Sequence, residues 1–376
     1  MKRIVAALLS LAVFVFALPV YSGADLSVSA LSAVLIDADT LSVLYSKNAD
    51  KKLAMASTTK IMTALLALES DKKSEEFVVD SRAIRVEGSS MGLTEGDKVT
   101  LKTLAAGILM LSGNDAANAA ATFISGSNEA FSKKMNERAK AIGMKNTSFV
   151  TPSGLDDENH YSTAYDMALL GAEAIKNAEF VEISSKSKYT VEFGKEPSRR
   201  TMHNHNRLVK EVEGCIGIKT GFTKKAGRCL VSAVTRGGRT LICVTLKAPS
   251  DWSDHKRLYE FGFSLYSERE IEAEPAQIEV VNSEKTTVVA QVREPIKILA
   301  RQSEEIKVQT KMRPFEYAPV YSGQIVGRVA VSADGFEVFK TELVLSESAH
   351  AKGEKAKEQP KNPFEKFTEW LRSLFK

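Results

Sequence analysis

Cysteine is scarce in this sequence, and the net charge is small. The chain has three cysteines, Cys215, Cys229 and Cys243, an odd number that cannot all pair internally, so no disulfide framework is indicated. The formal net charge is +4, and two of the 51 basic residues, Lys2 and Arg3, lie at the extreme N-terminus. Bulk electrostatics therefore do not favour nucleic acid as a partner.

Long apolar runs are also rare, and the clearest one is at the N-terminus. Lys2-Arg3 precede an apolar run from Ile4 to Leu18, and small residues follow up to Ala24. This order is typical of a signal peptide, and we expect cleavage after Ala24, which makes residues 1–24 the leader. An uncleaved anchor is the alternative, because the run approaches the roughly 20 residues of a spanning helix. Both interpretations place the remaining chain outside the cytoplasmic membrane, at its outer face.

Two of the cysteines lie in a predicted β-hairpin. Residues 227–248 alternate in polarity on both sides of Gly237-Gly238, a pair suited to a two-residue turn. In that register Cys229 is opposite Leu246 and Cys243 is opposite Ser232, so the two sulfurs point to opposite faces of the sheet. We therefore expect no disulfide between Cys229 and Cys243, and both should be buried.

The polarity pattern predicts two folded domains and two further segments. Residues 25–270 combine strands at both ends with helices over 103–124, 128–144, 162–177 and 253–267, which favours a mixed α/β domain with one antiparallel sheet. Residues 271–345 have a period of two and should form a small all-β domain. Residues 346–361 are charged and poor in core formers, so a linker is expected.

The last fifteen residues, 362–376, have the pattern of an amphipathic helix. Large apolar side chains recur at helical spacing and charged residues fill the opposite face, the apolar set being Phe364, Phe367, Trp370, Leu371, Leu374 and Phe375. Such a helix would be only about 22 Å long, too short to cross a membrane, but it can lie on the membrane surface. A helix docked on the protein core is the alternative.

The pattern Ser-x-x-Lys occurs five times, so it carries little weight alone. Ser57-Thr-Thr-Lys60 differs from the others because it opens an apolar-periodic helix, where a spacing of three puts the hydroxyl and the amine on one face. The competing interpretation is that Ser57 is only an N-cap, a position that serine favours without any catalytic role.

Two further triplets favour the catalytic interpretation. Ser112-Gly113-Asn114 follows an apolar helical run, and Lys219-Thr220-Gly221 occurs once, ahead of the hairpin. The order Ser-x-x-Lys, Ser-x-Asn, Lys-Thr-Gly is typical of penicillin-interacting serine enzymes. A His-Glu-x-x-His motif is lacking, and the histidines do not indicate a metal site, so no metal and no cofactor are expected.

The sequence resembles the D-alanyl-D-alanine carboxypeptidases, low-molecular-mass penicillin-binding proteins with a C-terminal β domain and an amphipathic membrane tail. The resemblance covers nearly the whole chain, including the segments "AVLIDADTLSVLYSKNADKKLAMASTTKIMTALLALE", "TPSGLDDENHYSTAYDMALL" and "GIKTGFTKKAGRCLVSA". It implies the fold of serine β-lactamases and transpeptidases. One departure is His205, where an arginine would be expected in some relatives.

Residue chemistry and the resemblance together suggest a role for each motif residue. Ser57 would be the nucleophile, and Lys60 the base, if burial and Lys219 lower the pKa of its amine. Ser112 would relay the proton to the leaving amine. The resemblance implies an oxyanion hole from the backbone N–H groups of Ser57 and Phe222. It also implies substrate contacts from the remaining motif residues, with Asn114 at the peptide amide and Lys219, Thr220 and Gly221 near its terminal carboxylate.

The implied activity is removal of the terminal D-alanine from peptidoglycan stem peptides ending in D-Ala-D-Ala, through an acyl-enzyme that β-lactams would trap. A β-lactamase with the same triplets is one alternative, although it has no use for a β domain and a membrane tail. A peptidoglycan-binding scaffold with a vestigial site is the other, although all three triplets are intact.

Overall fold

The computed structural model describes residues 26–353, which form a first domain (26–264) and a β domain (267–353). The helices of the described chain are α1 (Lys60–Glu69), α2 (Leu101–Leu111), α3 (Asn114–Ser125), α4 (Asn128–Ile142), α5 (Ala164–Ala174), α6 (Ala178–Ser184), α7 (Leu208–Glu211) and α8 (Asp251–Ser264). The strands of the first domain are β1 (Ser32–Asp37), β2 (Val43–Lys47), β3 (Phe77–Val78), β4 (Lys98–Val99), β5 (Lys188–Phe193), β6 (Ser198–His203), β7 (Cys215–Thr223), β8 (Gly227–Arg236) and β9 (Arg239–Leu246).

One antiparallel sheet joins the two ends of the first domain. Its strand order is β2-β1-β9-β8-β7, so the opening hairpin pairs with the closing one through β1 and β9. Helices α1 to α6 pack on one face of this sheet, and α8 packs on the other. The predicted mixed α/β domain with strands from both ends in one sheet is confirmed.

The β8–β9 hairpin has the predicted register. Its turn residues Gly237 and Gly238 have φ of 53° and 79°, which glycine adopts without strain. Ser232 is opposite Cys243 as expected, and Cys229 and Cys243 belong to the cores on opposite faces of the sheet. Cys229 and Cys243 are unpaired and buried, as predicted, and Cys215 is unpaired and buried as well.

The β domain begins slightly earlier and ends later than the sequence pattern suggested. Its strands are β10 (Ser267–Ile271), β11 (Ala276–Val281), β12 (Thr287–Val292), β13 (Ile296–Ala300), β14 (Ile306–Met312), β15 (Phe315–Tyr317), β16 (Ile325–Ala333) and β17 (Phe336–Leu345). Strand β10, most of which lies before the predicted boundary at 270, pairs with β13. The six other strands form a sheet in the order β14-β16-β17-β12-β11-β15 around a separate core.

The first residues of the predicted linker belong to the β domain. Ala349 is 2% exposed and packs in the core, and Val320 and Ala349 form an isolated β-bridge. This contact is made by backbone hydrogen bonds and one small side chain. The sequence therefore did not predict it, because residues 346–353 contain few large apolar residues.

A buried ion cluster joins the two domains. The guanidinium of Arg239, 1% exposed, contacts Glu304 of the β domain at 2.6 Å and Asp37 of β1 at 3.4 Å. Its Nε donates to the backbone carbonyl of Leu299 at 2.8 Å. The hydroxyl of Tyr266 donates to Asp37 at 2.8 Å, so the carboxylates in this cluster have several donors.

No helix within residues 26–353 has the length and apolar character needed to cross a bilayer. The predicted leader (1–24) and the predicted amphipathic segment (362–376) lie outside the described residues.

Candidate active site

A tight turn presents the hydroxyl of Ser57. Ala56 has a left-handed φ of 48°, and a 3-10 turn over Ala56–Thr59 leads directly into α1. Met55 and Thr59 occupy the N-cap positions of the turn and the helix, and neither makes a side-chain capping bond. The alternative in which Ser57 serves as a simple N-cap is therefore not seen.

The amine of Lys60 has three oxygen neighbours. Its Nζ lies 3.0 Å from Ser57 Oγ, 2.6 Å from Asn114 Oδ1 and 2.6 Å from the carbonyl oxygen of Ser153. The amide and carbonyl oxygens can only accept hydrogen bonds, so they take two protons of the amine. A neutral amine would then direct its lone pair at the Ser57 hydroxyl, which is the geometry of a base beside a nucleophile.

The electrostatic setting favours the neutral amine. Lys60 is fully buried, and burial followed by the nearby Lys219 lowers its pKa well below the ordinary value. Lys219 is 1% exposed, and burial lowers its own pKa to about 7.

Ser112 lies where α2 ends. It adopts a left-handed conformation (φ 60°, ψ 30°), so the predicted helical segment 103–124 is two helices with the Ser-Gly-Asn triplet at their junction. The Asp115 carboxylate, 2% exposed, accepts hydrogen bonds from Ser90 Oγ and from the backbone N–H of Met91, Gly92 and Leu93. This carboxylate fixes the loop that borders the triplet.

The structure gives Asn114 partners within the protein. Its Oδ1 accepts from Lys60 at 2.6 Å, and its Nδ2 donates to the carbonyl of Glu87 at 2.6 Å. The side chain is 5% exposed. These contacts use one N–H and one acceptor site of the Asn114 amide, so its expected role at the substrate amide stays a prediction.

Strand β7 lies against the nucleophile turn. A Cβ built on Gly221 would be only 3.0 Å from the backbone nitrogens of Ser57 and Thr58, so glycine permits this close approach. β7 is also an edge of its sheet. The amine of Lys219, in contrast, donates to the Thr220 carbonyl at 2.8 Å. Lys219 is 1% exposed, so its amine lies beneath the surface of the cleft.

A cleft of about 340 Å³ brings most of the predicted residues together, namely Ser57, Ser112, Thr220, Gly221 and Phe222. Five other residues complete its wall, and sequence reasoning assigned none of them a role: Ser89, His205, Arg228, Asp251 and Trp252. Lys60, Asn114 and Lys219 lie behind the wall, each no more than 5% exposed.

Arg228 brings a guanidinium to this cleft. Its Nε donates to the Asp251 carboxylate at 2.9 Å, and its guanidinium lies 5.5 Å from the Trp252 ring centre. Its side chain remains 43% exposed. The other candidate cation of the wall, His205, has its pKa lowered by burial and by Lys219, so it is neutral at neutral pH. In the sequence, only one feature could have placed Arg228 near the site. It lies nine residues after Lys219, where β8 runs back beside β7.

His160 fixes the loop that supplies the Ser153 carbonyl. Its Nδ1 accepts from the backbone N–H of Val150 at 2.9 Å, and its Nε2 lies 2.7 Å from Thr59 Oγ1. Because Nδ1 accepts, Nε2 carries the proton and donates to Thr59.

A larger cavity of about 640 Å³, bordered by Glu69, Phe123 and Arg138, has no comparable pair of nucleophile and base.

Family models match both domains. The model described as D-alanyl-D-alanine carboxypeptidase matches residues 20–250, and the model described as penicillin-binding protein 5, C-terminal domain, matches residues 263–351. The chain belongs to the D-alanyl-D-alanine carboxypeptidase family. A member of this family is a serine-type hydrolase, which favours the carboxypeptidase interpretation over a β-lactamase or a vestigial scaffold.

Individual proteins of known class agree with this assignment. The D-alanyl-D-alanine carboxypeptidase DacF of Bacillus subtilis is 35% identical over 345 residues, with 88% of each chain covered. DacC of Escherichia coli is 33% identical over 351 residues, covering 87% of this chain and 86% of the relative. Penicillin-binding protein 5 of Haemophilus influenzae has a solved structure with 29% identity and a TM-score of 0.60, covering 86% of this chain and 98% of its own. The Streptomyces K15 DD-transpeptidase gives 32% identity and a TM-score of 0.60 over 64% of this chain and 98% of its own.

Proposed function

We propose that this carboxypeptidase removes the terminal D-alanine of peptidoglycan stem peptides through an acyl-enzyme on Ser57. The observation that carries the proposal is the buried Lys60 amine, whose two acceptors, Asn114 and Ser153, leave its lone pair for Ser57 Oγ at 3.0 Å. Family membership supports the substrate class.

Each proton removed in this reaction has a defined acceptor. Lys60 takes the Ser57 proton as Oγ bonds to the carbonyl carbon of the penultimate D-alanine. The C–N bond then breaks, and the proton reaches the leaving amine of the terminal D-alanine through the Ser112 hydroxyl in the same cleft. Water next attacks the ester, with Lys60 again as base, and Ser57 recovers its proton as the shortened peptide leaves.

The developing oxyanion would be stabilised by the backbone N–H groups of Ser57 and Phe222. The close approach of β7 to the nucleophile turn supports this role, because Gly221 brings the two segments together at one end of the cleft. The free edge of β7 is suited to an extended peptide lying beside it.

For the substrate carboxylate we propose Thr220 and Arg228 as the direct contacts. The buried Lys219 bonds to a backbone carbonyl, so it acts instead on the pKa of Lys60. Gly221 keeps the strand close to Ser57, and Asn114 is a positioning residue for the amine of Lys60.

Two measurements on the purified protein test the mechanism. Labelled penicillin followed by intact-mass analysis should show one adduct on Ser57, and a pentapeptide ending in D-Ala-D-Ala should lose one D-alanine. Lys60→Ala should slow acylation about 10²–10⁴-fold, because it removes the base. An adduct that persists in Ser57→Ala, or rapid penicillin turnover with no release of D-alanine, would contradict the proposal.

We also propose that the protein works at the outer face of the cytoplasmic membrane, with the leader 1–24 removed and segment 362–376 attached to the bilayer surface. The support is the sequence pattern alone. A chain ending after Gly353, which keeps the buried Ala349, should remain fully active on small peptides but lose sedimentation with vesicles. Sedimentation that survives the truncation would argue against the tail as the attachment.

A further inference from the structure

Exposed hydrophobic side chains are concentrated in one segment of the β domain. Of the eleven large ones that are exposed within residues 26–353, six lie between positions 308 and 325. Five of these six occur between the end of β14 and the start of β16, and we refer to them as the rim: Met312, Phe315, Tyr317, Tyr321 and Ile325. Their exposed fractions range from 36% to 66%.

Local contacts hold the rim together. Met312 and Ile325 border one shallow groove where β14 and β16 meet. The rings of Phe315 and Tyr317 are 5.4 Å apart and nearly perpendicular. Between those rings, Glu316 turns inward and accepts hydrogen bonds from Arg313 and Gln324. The two aromatic rings therefore face away from the domain because the strand alternates.

The rim lies at the end of the β domain that is remote from the first domain. Strand β16 has nine residues, starting at the rim with Ile325 and ending at Ala333. There Asp334 is 3.7 Å from Arg301, which bonds to the same Glu304 that contacts Arg239 of the first domain. A strand of this length spans about 30 Å, which separates the rim from the domain junction.

The chain leaves the described structure beside the rim. Val320 and Ser322, the neighbours of Tyr321, hydrogen-bond to Ala349 and Ser348 respectively, each at 2.9 Å. Eight residues, 354–361, then precede the amphipathic segment that begins at 362. A chain of that length reaches at most about 29 Å, so the rim stays near the proposed membrane tail.

The charge around the rim suits an anionic surface. Lys311 and Arg328 border the same groove as Met312 and Ile325, and Arg313 is adjacent in the chain. Tyrosine and phenylalanine rings flanked by cations are favoured at the lipid–water interface. A glycan strand could stack on the rings, but it would gain little from the aliphatic Met312 and Ile325.

We propose that the rim rests on the surface of an anionic bilayer, as a second membrane contact beside the tail. The inference rests on the proposed tail attachment, since the tail brings this end of the β domain to the membrane. Both contacts together would fix the β domain against the bilayer, whereas the tail alone would leave its orientation free.

Site-specific fluorescence on the full chain tests this contact. Because the native cysteines are buried, a cysteine introduced as Tyr317→Cys can be labelled selectively with an environment-sensitive dye. Phe336→Cys is the matched control, because Phe336 is 45% exposed in the hairpin at the opposite end of β16. With vesicles of phosphatidylglycerol and phosphatidylcholine, we expect a blue shift and quenching by brominated lipid at position 317 and not at 336.

A variant of the full chain gives an independent measurement. Replacing Phe315, Tyr317 and Tyr321 together by serine should weaken vesicle binding about tenfold, since binding scales with buried apolar area. Phe336→Ser should leave vesicle binding unchanged. All four positions are exposed, so neither variant disturbs the core.

The outcomes separate the rim from the tail. Sedimentation of the protein without a spectral shift at 317 overturns the rim contact and leaves the tail in place. Failure of the unaltered chain to sediment overturns both. A shift at 317 with cell-wall sacculi but not with vesicles identifies a glycan partner, and a shift that needs only high protein concentration identifies a second copy; either result overturns the membrane proposal.

Discussion

The amine of Lys60 donates to the amide oxygen of Asn114 at 2.6 Å, and the other end of that amide is fixed by the Glu87 carbonyl. Asn114 therefore cannot turn over without losing both hydrogen bonds, and its oxygen stays directed at the amine. The contact orients Lys60 without adding a charge that would raise the pKa of its amine.

Substituting Asn114 by Asp should move the pH profile of acylation. The added carboxylate stabilises the ammonium form of Lys60 and raises its pKa, so the neutral base appears only at higher pH. We expect the acidic limb of the acylation rate with a fluorescent penicillin to shift to higher pH, with the plateau largely kept. Asn114→Ala is the control without the charge, and it should lower the rate without that upward shift. An acidic limb that does not move in Asn114→Asp would show that Lys60 is not the titrating base.

Replacing Lys219 by Met should stabilise the fold and impair acylation. Burial lowers the pKa of Lys219 to about 7 in the folded protein, from its ordinary value of 10.5, so folding is penalised most when the amine is charged in both states, below pH 7. The penalty falls as pH rises from about 7 to 10.5 and vanishes above that range. Lys219→Met should therefore gain on the order of 2 kcal/mol at neutral pH and much less near pH 10, as urea unfolding would measure. A gain independent of pH would rule out the buried charge as its cause.

Arg228→Gln should raise KM for peptides with a free terminal carboxylate. A charge-assisted contact is worth about 1.5–3 kcal/mol, or about 10- to 100-fold in kcat/KM. A substrate whose terminus is amidated should lose much less on the same substitution. Arg207→Gln is the matched control, since Arg207 also lies over Trp252, at 5.2 Å, but does not border the cleft. Equal losses for the acid and amide substrates would remove Arg228 from carboxylate recognition.

Glu304→Ala should uncouple the two domains. It leaves the buried Arg239 with Asp37, at 3.4 Å, as its remaining ion-pair partner, and loss of one partner from a buried ion pair costs about 3–5 kcal/mol. Calorimetry should then resolve separate unfolding of the domains, with activity on small peptides kept at low temperature. Glu305→Ala serves as the control, because Glu305 is 69% exposed and should change the unfolding profile little. A Glu304→Ala profile that matches the control would mean that the cluster does not hold the domains together.

Local sequence patterns predicted some parts of the fold and the site correctly and missed others. The ordered triplets located Ser57, Ser112 and Lys219, and polarity with a Gly-Gly turn fixed the β8–β9 register. Contacts between distant segments were missed, because Ser153 reaches Lys60 from 93 residues away and Asp251 meets Arg228 through the fold. The hydrogen bond from the Lys219 amine to the Thr220 carbonyl also had no local signal in the sequence.

Because its three cysteines are unpaired and buried, the folding of this chain should not depend on the redox state of its compartment. Burial raises the pKa of Cys215 to about 11 and of Cys229 to about 12, so their reactive thiolate forms are scarce at neutral pH. Cys243 is fully buried, and its pKa is raised as well. The described fold uses no covalent cross-link, so the protein should reach the same active state with or without reductant. Expression in a reducing cytoplasm should therefore yield the same enzyme as secretion.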